Sequence, residues 1–167
     1  MKAMRTHLLV LSLMIGLSGA SYAQEPGYKT ALGGKIGSLT GFNIKHYFSN
    51  LMAIEGTAGA SPGGVGVAAL AEFNFHFPSA PYLTLFFGFG ADVGAHFYNG
   101  WGYYRRNYPG YRGVGFGIDG TVGVEYTFQE VPLNLSLDFG PRFSVFPGPG
   151  FDPLGYSGLA VRYTINR

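Results

Sequence analysis

Ser144, His96 and Asp119 are side chains whose types together supply a nucleophile, a general base and the carboxylate that orients such a base. They sit in three successive stretches of alternating apolar and polar residues, each on the polar register, so a fold that aligns those stretches gathers them near one rim. The signal is weak beyond that. Nothing around Ser144 resembles a nucleophile turn, and Ser and Asp are ordinary fillers of a polar face, so polar filling is the expected role and no catalytic site is assigned. His46 falls on an apolar register beside aromatics, and neither it nor His76 belongs to a cluster with metal-ligand spacing. No metal or organic cofactor is expected.

Two other constellations carry charge. The stretch from Asn99 to Gly113 holds Trp101, Tyr103, Tyr104, Arg105, Arg106, Tyr108, Tyr111 and Arg112 and no acidic residue. Guanidinium groups clamp phosphates and aromatic faces stack on sugars, so this loop is the candidate contact for an anionic glycolipid or an extracellular ligand. The competing reading places its aromatics in an interface girdle. The second constellation is Lys35, Lys45, Glu55, Glu72, Asp92, Asp119, Glu125, Asp138, Arg142 and Arg162, four cations and six anions that share the polar register of their segments.

The elements that position these residues are strands. From Leu133 to Val145 apolar residues take nearly every odd number, while Asn134, Ser136, Asp138, Arg142 and Ser144 take even ones. Period-two alternation puts these sets on opposite faces. Because several strands repeat the pattern with Asp, Glu, Lys and Arg on the polar face, the expected fold is all-β: an eight-stranded antiparallel transmembrane barrel, an up-and-down meander with lipid outside and a filled polar interior. Strands are expected near 28–37, 41–48, 52–60, 65–77, 82–98, 113–128, 133–146 and 156–166, bounded by Gly, Pro, Asn or Ser. Short turns at 49–50, 78–81 and 129–132 would face the periplasm, and the longer stretches 99–113 and 147–155 the outside. In so narrow a barrel the ten charged groups should pair with one another rather than line a channel. Pro141 has no amide hydrogen to give, so a bulge or the start of the less regular extracellular portion is expected there.

The N-terminus gives an independent line. Lys2 and Arg5 precede an apolar stretch from Leu8 to Leu17, and Ser21-Tyr22-Ala23 forms a small-x-small site. Residues 1–23 read as a secretory signal, leaving 24–167 as one barrel domain exported through the periplasm to the outer membrane. The apolar run falls short of the ~20 residues of a spanning helix. The absence of Cys excludes disulfides and a lipoprotein anchor. Without Lys2 and Arg5 the remaining nine Lys and Arg balance nine Asp and Glu, so no net basic field argues for nucleic acid. Gly is abundant, at 28 residues, which suits tight curvature and close packing inside a small barrel.

The segments Lys45-His46-Tyr47-Phe48, Ala53-Ile54-Glu55-Gly56, Asp119-Gly120, Val124-Glu125-Tyr126, the run from Pro132 to Asp138 and Val161-Arg162-Tyr163-Thr164 carry a family likeness. Through them the chain after Ala23 resembles the small outer-membrane β-barrels of Gram-negative bacteria, of the OmpX and OmpA-transmembrane-domain type. The resemblance implies outer-membrane lipid, lipopolysaccharide and the barrel-assembly machinery as partners, and a fold rather than a reaction. Many members end on an aromatic residue, whereas this chain ends Thr164-Ile165-Asn166-Arg167, so a different or weaker insertion signal is expected. Some similar barrels modify lipid A, but the His-x-Ser motif of the deacylases does not occur here. The functional expectation is therefore a structural or surface-interaction role without an open pore. A lipid A-modifying enzyme, a small porin and a ligand-binding barrel are the alternatives.

Overall fold

The computed structural model describes residues 27–61, 63–97 and 112–165. They form eight strands: β1 (Thr30–Gly37), β2 (Thr40–Tyr47), β3 (Met52–Ser61), β4 (Gly64–Phe77), β5 (Ala80–His96), β6 (Gly113–Thr127), β7 (Leu133–Phe146) and β8 (Gly150–Ile165). Each pairs antiparallel with the next, and β8 returns to β1, closing the barrel with Thr30 opposite Ile165 and Gly37 opposite Gly158. Closure leaves no unpaired sheet edge. The chain ends of the barrel and the β2–β3, β4–β5 and β6–β7 turns lie at one end. The β1–β2 and β7–β8 turns lie at the opposite end, together with the last residues of β3 and β5 and the first of β4 and β6.

Period-two alternation decides which side chains go in. On β6, Asp119, Thr121 and Glu125 are buried while Phe116, Ile118 and Val122 are exposed. On β8, Ala160, Arg162 and Thr164 are buried while Leu159, Val161 and Tyr163 are exposed. The same division holds on β7, where Asn134, Ser136 and Asp138 turn inward and Leu137 and Phe139 outward. Apolar side chains thus cover the outer wall on every strand, and the lumen holds the charge.

Besides shifts of a residue or two, such as β1 starting at Thr30 rather than 28, two connections differ from the sequence expectation. The stretch 147–155 is not wholly a loop, because β8 begins at Gly150, six residues before the expected start. Its first residues find partners on β7, with Asp152 opposite Arg142, Phe151 opposite Phe143 and Gly150 opposite Ser144. The Phe143 and Phe151 rings meet on the outer wall with centroids 4.8 Å apart. Gly and Pro content argued for a loop, but strand pairing overrides local propensity where a neighbouring strand offers a ladder. The second difference is the turn at 78–81. It is tighter than expected, since β5 starts at Ala80, paired with Phe77 ahead of a register shift.

Pro141 lies where the β7–β8 register shifts between Gly140 and Arg142, as its missing amide requires. The opposing stretch of β8 contains Pro153, so both prolines occupy one unpaired interval of the β7–β8 ladder, and the β6–β7 ladder also skips Gly140 and Pro141. Gly140 is needed beside it, because a Cβ there would fall 2.0 Å from the Gly120 carbonyl oxygen.

Candidate functional site

The lumen is organised in three tiers of charge. Nearest the chain termini, Lys45 on β2 extends across the axis. Its Nζ lies 2.8 Å from Glu72 Oε2 on β4 and 2.8 Å from Glu125 Oε2 on β6, and it donates to Asn74 Oδ1 at 2.9 Å. The ammonium also sits 4.6 Å from the centre of the Phe86 ring. Tyr28 donates to Glu125 Oε1 at 2.8 Å and Tyr47 to Asn74 Oδ1 at 3.0 Å. Lys45 therefore faces two carboxylates, two rings and an amide, with no side-chain exposure.

In the middle tier, Lys35 Nζ lies 2.9 Å from Glu55 Oε1 and 2.7 Å from Asp138 Oδ2, over the ring of Tyr156. Arg162 pairs with Glu55 and donates to Asn43, while its Nη1 donates to Asn134 Oδ1 at 2.9 Å and to Ser136 Oγ at 3.0 Å. The same Nη1 is 3.6 Å from Glu125 Oε2, which joins the middle tier to the first. Buried charge is tolerable only when it is compensated, and here Lys35, Arg162 and Glu55 are both paired and hydrogen-bonded, while Asp138 is held by its ion pair with Lys35.

Glycine makes the room. A Cβ at Gly123 would fall 2.4 Å from Phe86 Cζ, and one at Gly158 would fall 2.5 Å from Lys35 Cε. Across the two tiers, side chains from opposite walls meet at the axis, consistent with the filled interior of an eight-stranded barrel.

The third tier, at the end away from the termini, is more open. Arg142 holds Asp92 bidentately, Nε to Oδ2 at 2.7 Å and Nη2 to Oδ1 at 2.8 Å. Asp119 lies on the same wall with its Oδ1 4.0 Å from Arg142 Nε. These groups border a cavity of about 430 Å³ that also touches His96, Leu39, Ala68 and Tyr156.

The ten charged residues read from the sequence thus all lie in the lumen, grouped as Lys45, Glu72 and Glu125; Lys35, Glu55, Asp138 and Arg162; and Arg142, Asp92 and Asp119. Of the catalytic candidates, His96 and Asp119 share the cavity wall. Ser144 is buried on β7 between Gly117 of β6 and Gly150 of β8, outside the set of residues that border the cavity. His76 meets the Asn50 carbonyl at 3.0 Å and Thr84 Oγ1 at 2.9 Å, and His46 meets Thr30 Oγ1 at 2.9 Å. Among the described residues no group of three or more His, Cys, Asp or Glu is arranged to hold a metal ion. Arg112 is exposed just before β6, and the loop residues Trp101, Tyr103, Tyr104, Arg105, Arg106, Tyr108 and Tyr111 lie outside the described residues.

Sequence reasoning missed most of the neutral partners. Tyr28, Tyr47, Tyr156, Asn43 and Asn74 supply much of the hydrogen bonding around the ions, and their shared polar register was the available signal. Searches of protein-family models, curated proteins and solved structures each return no match to the chain.

Proposed function

We propose that this chain is an integral outer-membrane barrel with a structural or surface-interaction role and no open pore. The observation that carries the reading is the inverted distribution of polarity. Phe89, Ile118, Leu137 and Phe139 on the outer wall are each more than half exposed, whereas Lys45, Asp119 and Arg162 are at most 1% exposed. A water-soluble protein exposing so continuous an apolar surface would associate or aggregate, whereas hydrocarbon solvates it. Exposed aromatics support the same reading. Phe48, Tyr126 and Tyr163 lie towards the terminal end, and Phe97, Phe116, Phe146 and Phe151 towards the other, where girdles would meet the two membrane interfaces.

The lack of a pore rests on the two lower tiers. Ions would have to displace Lys45 or Arg162 from at least two carboxylate contacts each to pass. The relationship to OmpX-type barrels, the lipopolysaccharide contact at Trp101 to Arg112 and insertion by the assembly machinery belong to the same proposal. Two measurements test it together. Mature protein should require detergent for extraction and migrate faster unheated than boiled on a denaturing gel, and in planar bilayers it should give no stable conductance steps. Extraction by salt alone would overturn the membrane reading, and reproducible single-channel steps would overturn the sealed interior.

A further inference from the structure

The cavity of the third tier contains a carboxylate held only by a long ion-pair contact, Asp119, with its Oδ1 4.0 Å from Arg142 Nε. Asp119 is fully buried, and neither of its carboxylate oxygens has a hydrogen-bond partner among the described residues. Its nearest cation, Arg142, is already committed to Asp92 through two short bonds. A third acid on the cavity wall, Asp152, accepts from the Leu154 amide at 3.1 Å. Three carboxylates therefore face one guanidinium, and the one left without donors is also the one most removed from water. Buried polar groups are nearly always satisfied, and a buried carboxylate with no donor is costly.

From this geometry we infer that the cavity binds a small organic cation, with the ligand's ammonium group donating to Asp119. The volume of about 430 Å³ is in the range of small-molecule sites. Leu39, Ala68 and Tyr156 provide apolar wall for the body of such a ligand, and Ser38, Ser61 and Ser157 add hydroxyls. A metal ion fits less well, because it would need several converging ligands and the described residues show no such grouping. An anion is disfavoured by the carboxylates. The site lies inside the barrel, so the inference holds wherever the barrel resides and fails separately from the membrane reading.

The test uses the full mature chain folded in detergent, with folding of each variant checked by its migration on an unheated gel. Phenethylammonium is titrated calorimetrically against its neutral isostere 2-phenylethanol and against Mg²⁺. Saturable binding of the ammonium is expected, with the alcohol weaker by about ten-fold or more, since a charge-assisted hydrogen bond is lost. Asp119→Asn should weaken the ammonium by a similar factor and leave the alcohol unchanged. Ala68→Phe, which fills the cavity, should abolish binding of both. The inference is overturned if the ammonium gives no saturable heat, if the alcohol binds as tightly, if Asp119→Asn binds like the parent, or if Mg²⁺ alone binds in an Asp119-dependent way.

Discussion

Replacing Arg162 by Met should destabilise the barrel more than any surface change. The methionine keeps much of the side-chain volume, so the effect isolates the guanidinium. In the parent, that group faces Glu55, lies 3.6 Å from Glu125 Oε2, and donates to Asn43, Asn134 and Ser136, all at a side-chain exposure of about zero. After the change, Glu55 keeps one ion-pair partner, Lys35, which it must share with Asp138, and a hydrogen bond from Tyr156. Glu125 fares better because Lys45 and Tyr28 still hold it. Removing one partner of a buried ion pair costs about 3–5 kcal/mol, and the orphaned Asn43 and Asn134 oxygens add roughly 1 kcal/mol each. A loss of about 5–7 kcal/mol is therefore expected, on the order of several thousand-fold or more in the folding equilibrium. Urea unfolding of the barrel in lipid vesicles, followed by far-UV circular dichroism and the unheated gel band, measures it. Adding Glu55→Gln to the Arg162→Met protein should restore about 2 kcal/mol, because it neutralises the stranded charge. The reasoning is refuted if Arg162→Met costs less than about 1 kcal/mol, or if the two changes add within about 0.5 kcal/mol.

Gly123→Ala should destabilise by about 1–3 kcal/mol in the same assay, because its methyl group meets both the Phe86 ring and the Leu137 carbonyl; Phe86→Leu should recover part of the loss, and no recovery would mean the backbone contact dominates. Phe89→Arg, on the outer wall of β5, should cost about 2–4 kcal/mol in vesicles if the position lies near the bilayer midplane, whereas a water-facing site would tolerate it. Overexpression should leave the lipid A mass spectrum unchanged; a new species that disappears in His96→Ala or Ser144→Ala would establish the enzymatic alternative instead.

Strand number, inward and outward faces and the Pro141 bulge were legible because each depends on local rules: a period of two, turn residues between runs, and a proline without an amide. Asp138 and Arg162 could be put inside the barrel from their neighbours alone. Their partners could not. Lys45 is directly opposite Glu55 in the β2–β3 register, yet it reaches across the lumen to Glu72 and Glu125 while Glu55 takes Lys35 and Arg162. Partner choice is set by the stagger of eight strands around the axis, which no single segment encodes. The start of β8 was hidden for a related reason. Residues 150–155 look like a loop until Arg142, Phe143 and Ser144 supply the opposing ladder. The cavity beside Asp119 likewise arises from elements far apart in sequence, Leu39, Ala68, Asp92 and Tyr156 among them.

The chain contains no cysteine, so single Cys variants can be spin-labelled without background. Labels at Phe116, Leu137 and Val161 in barrel reconstituted in vesicles report directly on the solvent at the outer wall, through relaxation by dissolved oxygen and by a water-soluble nickel chelate. High oxygen contact with little nickel contact at all three is the predicted result. Free collision with the nickel chelate at these positions would mean that water, and not hydrocarbon, bathes the wall.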